Sequence, residues 1–209
     1  MDNSKICILG IIGSLLTGCS FLSPVAAPQT NTYLVQSSGN YSVEQKSPAS
    51  TVNLMVTEPT APSWLNNTNM VYQMQPTQID YFSKNAWADT PSHMLQNSVI
   101  TNLQQSGHFH AVVAEPFSGN YDKRLDLRIL NFSQDFSQNP SQFKLQVLAV
   151  LVNGQTQQVI ASQMFNEIVP SQTGSPSGGV AAANIAVARL NHQLLLFASQ
   201  KDNLILKQP

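Results

Sequence analysis

Cys19 is the residue of this chain whose surroundings define a specific covalent reaction. It follows Leu16, Thr17 and Gly18, and a branched apolar residue, two small residues and a cysteine are typical of a bacterial lipobox. The small side chains let a signal peptidase reach the backbone, and the thiol accepts a diacylglyceryl group. The pattern predicts cleavage before Cys19 and lipidation of its sulfur. The alternative is an ordinary secretory signal that contains a cysteine by chance.

The residues before Cys19 have the organisation of a signal peptide, assigned to residues 1–18. Lys5 supplies a positive charge and is followed by an apolar run over residues 6–16, which is shorter than the ~20 residues that a membrane-spanning helix needs. Cys7 lies in this leader, so the mature chain would keep only Cys19, which excludes a disulfide framework and a cysteine-based zinc site. Ser20 stands where an aspartate is typical of inner-membrane retention. An outer membrane lipoprotein that faces the periplasm is therefore expected.

Histidines are the other candidates for chemistry. His108 and His110 are two residues apart, so on a strand they would share a face and could hold a metal ion. A third ligand is not identifiable from the sequence, and two solvated histidines at a strand end are the simpler interpretation. The sequence therefore predicts no metal site. The remaining histidines are His93 and His192.

No catalytic constellation is visible elsewhere. The chain lacks the Gly-x-Ser-x-Gly pattern that marks a hydrolase nucleophile. The glycine- and serine-rich stretch 171–179 superficially resembles a phosphate-binding loop, but it lacks the Lys-Ser/Thr pair that such loops use and is interpreted as a loop. Catalysis usually needs convergent titratable groups. We therefore predict that the protein is not an enzyme and uses no cofactor.

Composition limits the class of partner. Charged residues make up 10% of the 209 residues and the formal net charge is -1, so no basic surface for nucleic acid is expected. The length fits one domain with a leader and a linker. Residues 20–32 contain two prolines and no charge. They are interpreted, with Cys19, as a flexible tether that could reach on the order of 40 Å when extended.

Two helices are predicted by their boundaries and periodicity. Thr90 is a suitable N-cap, Pro91 occupies the favoured first position, and Gly107 is a natural C-terminal stop. The second helix is predicted over residues 180–199, where apolar residues recur at spacings of three and four.

Strands are expected around these helices. Asn153 and Gly154 predict a hairpin between two of them, and the nearly continuous apolar run 145–152 predicts a central strand that is covered on both faces. The order indicates an α/β (α+β) single domain over residues 33–209, with a mixed, mostly antiparallel sheet and two main helices packed on it. The predicted strands are 33–35, 52–57, 79–82, 109–114, 125–132, 143–152 and 158–169.

Several short motifs together resemble the ABC-type transport auxiliary lipoprotein family. Members tend to have a Tyr-x-Leu strand after the tether, an aromatic-Leu segment that leads to Val-Tyr, then Tyr and Trp-Ala before a helix, and an alanine-rich C-terminal helix. The matching residues here are Tyr33-Leu34-Val35, Trp64-Leu65, Val71-Tyr72, Tyr81, Trp87-Ala88 and the helix over 180–197. A departure is Asp89-Thr90-Pro91, where many members continue with apolar residues, and it leaves the subfamily open.

The resemblance implies a function in lipid transport. Members are thought to be periplasmic partners of MCE (mammalian cell entry) domain proteins with their ABC permease and ATPase, in systems that move lipids between the two membranes. It therefore implies an auxiliary or docking component, for which self-association as a homo-oligomer is a further option. A structural envelope-assembly lipoprotein without a transport role is the alternative. The candidate partner-binding residues are the aromatic residues of the family motifs, for which a role in the core is the alternative: Trp64, Tyr72, Tyr81 and Trp87.

Overall fold

The computed structural model describes residues 29–36 and 50–200. The predicted signal peptide, Cys19 and most of the tether lie outside these residues. The strands are β1 Asn31–Tyr33, β2 Asn53–Val56, β3 Asn69–Gln75, β4 Gln78–Trp87, β5 Ala111–Ala114, β6 Lys123–Asp135, β7 Gln142–Asn153 and β8 Val159–Pro170, and the helices are α1 Pro91–Gln105 and α2 Pro176–Ala198.

One eight-stranded sheet organises the described residues, and β6 is its central strand. On one side β6 pairs along nearly its whole length with β7, which pairs in turn with β8. On its other side β6 contacts β2 near its start and β3 near its end. From there the sheet continues to β5 beside β2, and to β4 and β1 beside β3. The edges of the sheet are therefore β8, β5 and β1.

The predicted fold class is confirmed: one α+β domain with a mixed sheet and two helices. The description of the sheet as mostly antiparallel needs a small correction. Four of the seven strand pairings are parallel, those of β1 with β4, β2 with β5, β2 with β6 and β3 with β6. The sequence indicates the long β6–β7–β8 meander and also the short strands β1, β2 and β5, whereas β3 was missed. The parallel pairing of the short strands has no local signal in the sequence.

The expectation that β7 is covered on both faces is wrong. Leu145, Val147, Ala149 and Leu151 are almost fully buried on the face that carries the helices. The residues between them are only half-buried. Among the described residues no helix covers the far side of the sheet at β7 and β8, and this side is called the open face below. Leu148 and Val150, which lie between the buried residues, point to this open face, because successive side chains of a strand alternate between its two faces.

Helix α1 has the boundaries that its sequence predicts. Thr90 is the N-cap, its Oγ1 accepts a 3.3 Å hydrogen bond from the His93 amide, and Pro91 follows it. Beyond the helix end, Gly107 has φ +69°, in the left-handed region that glycine adopts without steric cost.

Helix α2 begins four residues earlier than the sequence predicts. Ser175 is the N-cap, with its Oγ accepting from the Gly178 amide over 3.1 Å, and Pro176 follows. Gly178 and Gly179 have low helix propensity, so the sequence predicts a loop where the first turn of this helix forms. Gly179 serves close packing, because a Cβ at this position would lie 2.2 Å from Oε1 of Gln134.

The C-terminal helix α2 is long enough and apolar enough to span a membrane, judged by its length and composition alone. Within the fold, 56% of its most apolar window is buried. It packs against β7, β8 and α1, with Val187, Leu190 and Leu194 fully enclosed. Packing of one helix face on a sheet accounts for this apolar stripe.

Candidate partner-binding surface

The end of the tether is attached to the folded domain at two points. Strand β1 pairs in parallel with the end of β4, where Asn31 is aligned with Asn85. Beyond β1, the amide of Gln36 donates a 2.9 Å hydrogen bond to Oδ1 of Asn184 on α2. The first described residues therefore run from the edge of the sheet onto the helical layer. The chain upstream of them is joined to the domain at the sheet edge.

Trp87 belongs to the core. It is 3% exposed, and its ring stands edge-on to Phe132 with centroids 5.4 Å apart. As folded, this side chain has no surface to offer a partner, because β4 ends beside β1 and turns Trp87 inward. Its conspicuous place in the family motif is explained by packing.

Tyr72 stands in a group of three half-buried aromatic rings. Its ring centroid is 4.7 Å from that of Phe82 and 5.9 Å from that of Phe136, and the last two are 6.3 Å apart. Three different strands position these rings: Tyr72 lies on β3, Phe82 on β4, and Phe136 directly after β6. Backbone pairing holds the third ring, since the Phe136 amide donates to the carbonyl of Gln73 over 2.8 Å. We call these three residues the Tyr72 cluster.

Tyr81 and Trp64 occupy a different surface. Tyr81 is 42% exposed, and its hydroxyl donates a 3.4 Å hydrogen bond to the carbonyl of Trp64, whose half-buried side chain packs on the core. In the β3–β4 pairing Tyr81 is aligned with Val71, whereas Tyr72 is aligned with Asp80. Tyr72 and Tyr81 therefore point to opposite faces of the sheet, and the four predicted aromatic residues do not form one site.

Phe82 and Phe136 are residues that the sequence did not single out. They are remote from each other along the chain and meet only because β3 lies between β4 and β6 in the sheet. Met74, two residues beyond Tyr72 on β3, is 54% exposed and was likewise missed. The strand β3 itself showed no clear alternation, so its sequence gave no signal for either set of contacts.

A charge pair with a buried carboxylate borders the Tyr72 cluster. Nζ of Lys144 lies 2.6 Å from Oδ2 of Asp135, whose side chain is 3% exposed. Burial alone would raise the pKa of this carboxyl. Hydrogen bonds from Lys144, Ser137 and Gln142 outweigh that effect and hold the pKa of Asp135 well below its usual range. The pair therefore fixes the end of β6, next to Phe136, through a carboxylate that stays ionised.

Comparison with known proteins decides the family. The model of the ABC-type transport auxiliary lipoprotein component family matches residues 33–194, which is more than half of the chain. This chain belongs to that family. The resemblance seen in the sequence is therefore confirmed, and the protein is an auxiliary lipoprotein of ABC-type transport. No curated protein matches the sequence.

Solved structures support the fold of this auxiliary lipoprotein. A crystal structure of a Xanthomonas campestris protein assigned to DUF330 is 22% identical, with a TM-score of 0.70, covering 82% of this chain and 95% of that one. An uncharacterised protein is 16% identical, with a TM-score of 0.64 and coverage of 81% and 98%. A hypothetical protein from Chlamydia trachomatis is 6% identical, with a TM-score of 0.50 and coverage of 74% and 99%. At these identities the likeness shows the fold.

The histidines of the auxiliary lipoprotein do not come together in one site. His93 lies 3.1 Å from both Glu58 and Asp89 at the exposed start of α1. His108 and His110 precede β5 instead of lying on it, so they do not share the strand face that a metal site at these two residues would need. Within residues 29–36 and 50–200, no group of three or more His, Cys, Asp or Glu side chains could hold a metal ion. The family is a transport component and not a class of enzymes.

An open groove of about 480 Å³ lies beside β2 and β6, with Phe117 and Tyr121 in its wall. Arg124 in this groove bonds Asp126, with Nε to Oδ1 at 2.9 Å, and also reaches Gln157. The hydrogen bond to Asp126 raises the pKa of the Arg124 guanidinium. Arg124 and Asp126 thus engage each other, and Glu115 is a further charged residue of the lining. The aromatic surfaces, which present exposed apolar side chains, are the better candidates for contact with a partner.

Proposed function

We propose that this auxiliary lipoprotein is anchored through Cys19 in the outer membrane and faces the periplasm. Its folded domain docks an MCE-domain protein that works with an ABC permease and ATPase in lipid transport between the membranes. The family membership over residues 33–194 carries the proposal. The lipobox Leu16-Thr17-Gly18-Cys19 supplies the anchor, and removal of residues 1–18 leaves Cys19 at the start of the tether.

The Tyr72 cluster with Met74 is the proposed contact surface. Buried aromatic anchors contribute most of the free energy of many protein interfaces, and Met adapts its shape to a partner. Tyr72, Phe82 and Phe136 already pack against one another, so little side-chain entropy would be lost on binding. Tyr81, exposed on the other face, is the second candidate contact.

The tether contributes by confinement. A domain that is held within a few tens of ångströms of the membrane meets a membrane-bound partner at a high effective concentration, so a modest interface can be well occupied. The pairing of β1 with β4 and the bond from Gln36 to Asn184 fix where the tether leaves the domain.

Site-specific photocrosslinking in intact envelopes tests the proposal. A photoreactive amino acid is placed at Met74, with Ile185 on the outer face of α2 as a control of similar exposure. We expect an adduct with an MCE-domain protein from Met74 and a much weaker one from Ile185. Adducts from both Met74 and Tyr81 that contain only other envelope proteins would favour the structural assembly role over transport.

A further inference from the structure

Strand β8 forms a long edge of the sheet. It contains twelve residues, and among the described residues its strand partner is β7 alone. The backbone N–H and C=O groups of alternate residues on its outer side can therefore pair with another strand. The other two edges are much shorter, with four residues in β5 and three in β1.

The edge has none of the charged side chains that commonly protect such strands. Glu167 is the one charged residue of β8, and it is turned toward α2. There it accepts a 2.6 Å hydrogen bond from Nε2 of Gln193 and lies 3.9 Å from Nη1 of Arg189. On the open face β8 instead presents Met164, 41% exposed, and Ile168, 54% exposed. Soluble proteins often place Lys or Pro along a long edge to prevent strand addition, and β8 has one such residue, Pro170, at its last position.

We propose that β8 pairs in an antiparallel manner with β8 of a second copy of this chain, so that two sheets join into one. A twofold axis near Asn166 would set Met164 of each copy opposite Ile168 of the other on the open face, with Asn166 opposite itself. On the other face this register sets Phe165 opposite Glu167 of the second copy, so no two charged residues stand directly opposite each other. The edge is thus compatible with pairing to itself, and the apolar contact is confined to its open face.

The half-buried neighbours on β7 extend this apolar contact. Val150 is aligned with Ser162, and Leu148 with Met164, so the seam would continue an apolar strip that already crosses the open face. Anchoring in a common membrane would raise the effective concentration of the two copies. The pairing does not depend on which transport partner the domain binds, and its test can fail without affecting the proposed function.

Single cysteines along β8 test the pairing in the full-length chain in its own envelope. Ser162, Met164, Asn166 and Ile168 are each replaced by Cys, with Ile185→Cys and the unaltered chain as controls. A twofold antiparallel seam brings a residue and its own copy within disulfide range, a Cα separation below ~7 Å, only near the axis. We expect a disulfide-linked homodimer at one or two adjacent positions of this series, strongest at Asn166→Cys, and none in either control.

A charge on the edge provides the second measurement. Ile168→Lys in the Asn166→Cys background should lower the dimer yield by about tenfold at unchanged thermal stability, whereas Ile185→Lys should leave it unchanged. The proposal is overturned if no β8 cysteine yields a homodimer although maleimide labels the thiols. Equal yields at all four positions, or a crosslink to a different protein only, would also overturn it.

Discussion

Asn191 of α2 donates a 2.9 Å hydrogen bond from Nδ2 to Oγ of Ser98 on α1. Both residues are buried, with 1% and 8% of their surface exposed, and Oδ1 of Asn191 has no hydrogen-bond partner within the described chain. The two helices that cover the sheet are thus joined by a polar contact in an apolar interface. Such a contact fixes the relative position of the helices at a cost in desolvation.

Removal of one partner should be costly. Ser98→Ala leaves the Asn191 amide buried without its acceptor, so we expect the free energy of unfolding to fall by about 1–3 kcal/mol. Chemical denaturation monitored by circular dichroism measures the change. Ser98→Ala combined with Asn191→Leu is the control, because replacing both partners removes the unsatisfied groups and should recover most of the loss. A single variant as stable as the wild type would contradict the account.

The pair of Asp135 and Lys144 predicts a pH dependence of stability. The folded pKa of Asp135 is depressed, so its contribution is fully present well above the unfolded value of about 3.9 and is lost as the pH falls below that value. Asp135→Asn should lower the free energy of unfolding at pH 7 by about 1–3 kcal/mol and flatten its decline below pH ~4. Thermal unfolding between pH 7 and pH 3 measures both effects. If the stability of the wild type and of Asp135→Asn declined equally steeply with falling pH, this account of the Asp135–Lys144 pair would be wrong.

The long elements could be predicted from the sequence because their signals are local. Thr90, Pro91 and Gly107 bound α1 by cap and turn chemistry, and all three have the predicted roles. Asn153 and Gly154 likewise stand at the β7–β8 connection, although its loop covers residues 154–158, longer than the two-residue turn that Asn-Gly favours.

The candidate surface was less accessible to prediction because it is built by long-range pairing. Whether Tyr72 and Tyr81 share a face depends on the register of β3 against β4, which is shifted by irregularities on both sides of Val71 and Tyr72. The burial of Trp87 depends on β1, a strand of three residues. Neither feature has a local signature, so aromatic residues of one motif were separated by the fold into core and surface.

The exposed part of the proposed contact surface should control affinity for the partner. Met74→Ser removes an exposed apolar side chain beside Tyr72, and we expect it to weaken binding to the periplasmic part of the MCE protein by about three- to tenfold. Ile185→Ser, which is similarly exposed on α2, should have no effect. Affinity can be measured by interferometry on the purified lipoprotein in detergent. Equal losses for both variants, or for neither, would exclude this surface.

Replacement of the histidines should leave transport function largely intact. His93, His108, His110 and His192 are changed together to Gln or Asn. The polar contacts of His93 with Glu58 and Asp89 are exposed, so their loss should cost at most about 1 kcal/mol. The measurement is complementation of an envelope-permeability defect in cells. A variant that is stable and binds its partner but fails to complement would reopen an acid–base or metal-dependent role.

The lipid anchor should matter more in cells than in solution. Cys19→Ala removes the thiol that accepts the diacylglyceryl group, so palmitate labelling should disappear and unprocessed or mislocalised protein should accumulate. A chain that starts at residue 20 behind a cleavable secretory leader then separates anchoring from processing. Because recognition between two proteins depends on their contact surface, this chain should bind the MCE protein with an affinity within about threefold of the anchored form.

The function in cells of the chain that starts at residue 20 should nevertheless fall by at least tenfold, because the effective concentration that the lipid-anchored tether supplies is lost. The truncation should begin no later than residue 29, since a start at Thr32 would cut into β1 and remove the pairing of Asn31 with Asn85. Normal palmitate labelling of Cys19→Ala would disprove the lipobox assignment. If the unanchored chain were fully active in cells, confinement to the membrane would have no role in transport, and the tether would serve only to export the domain.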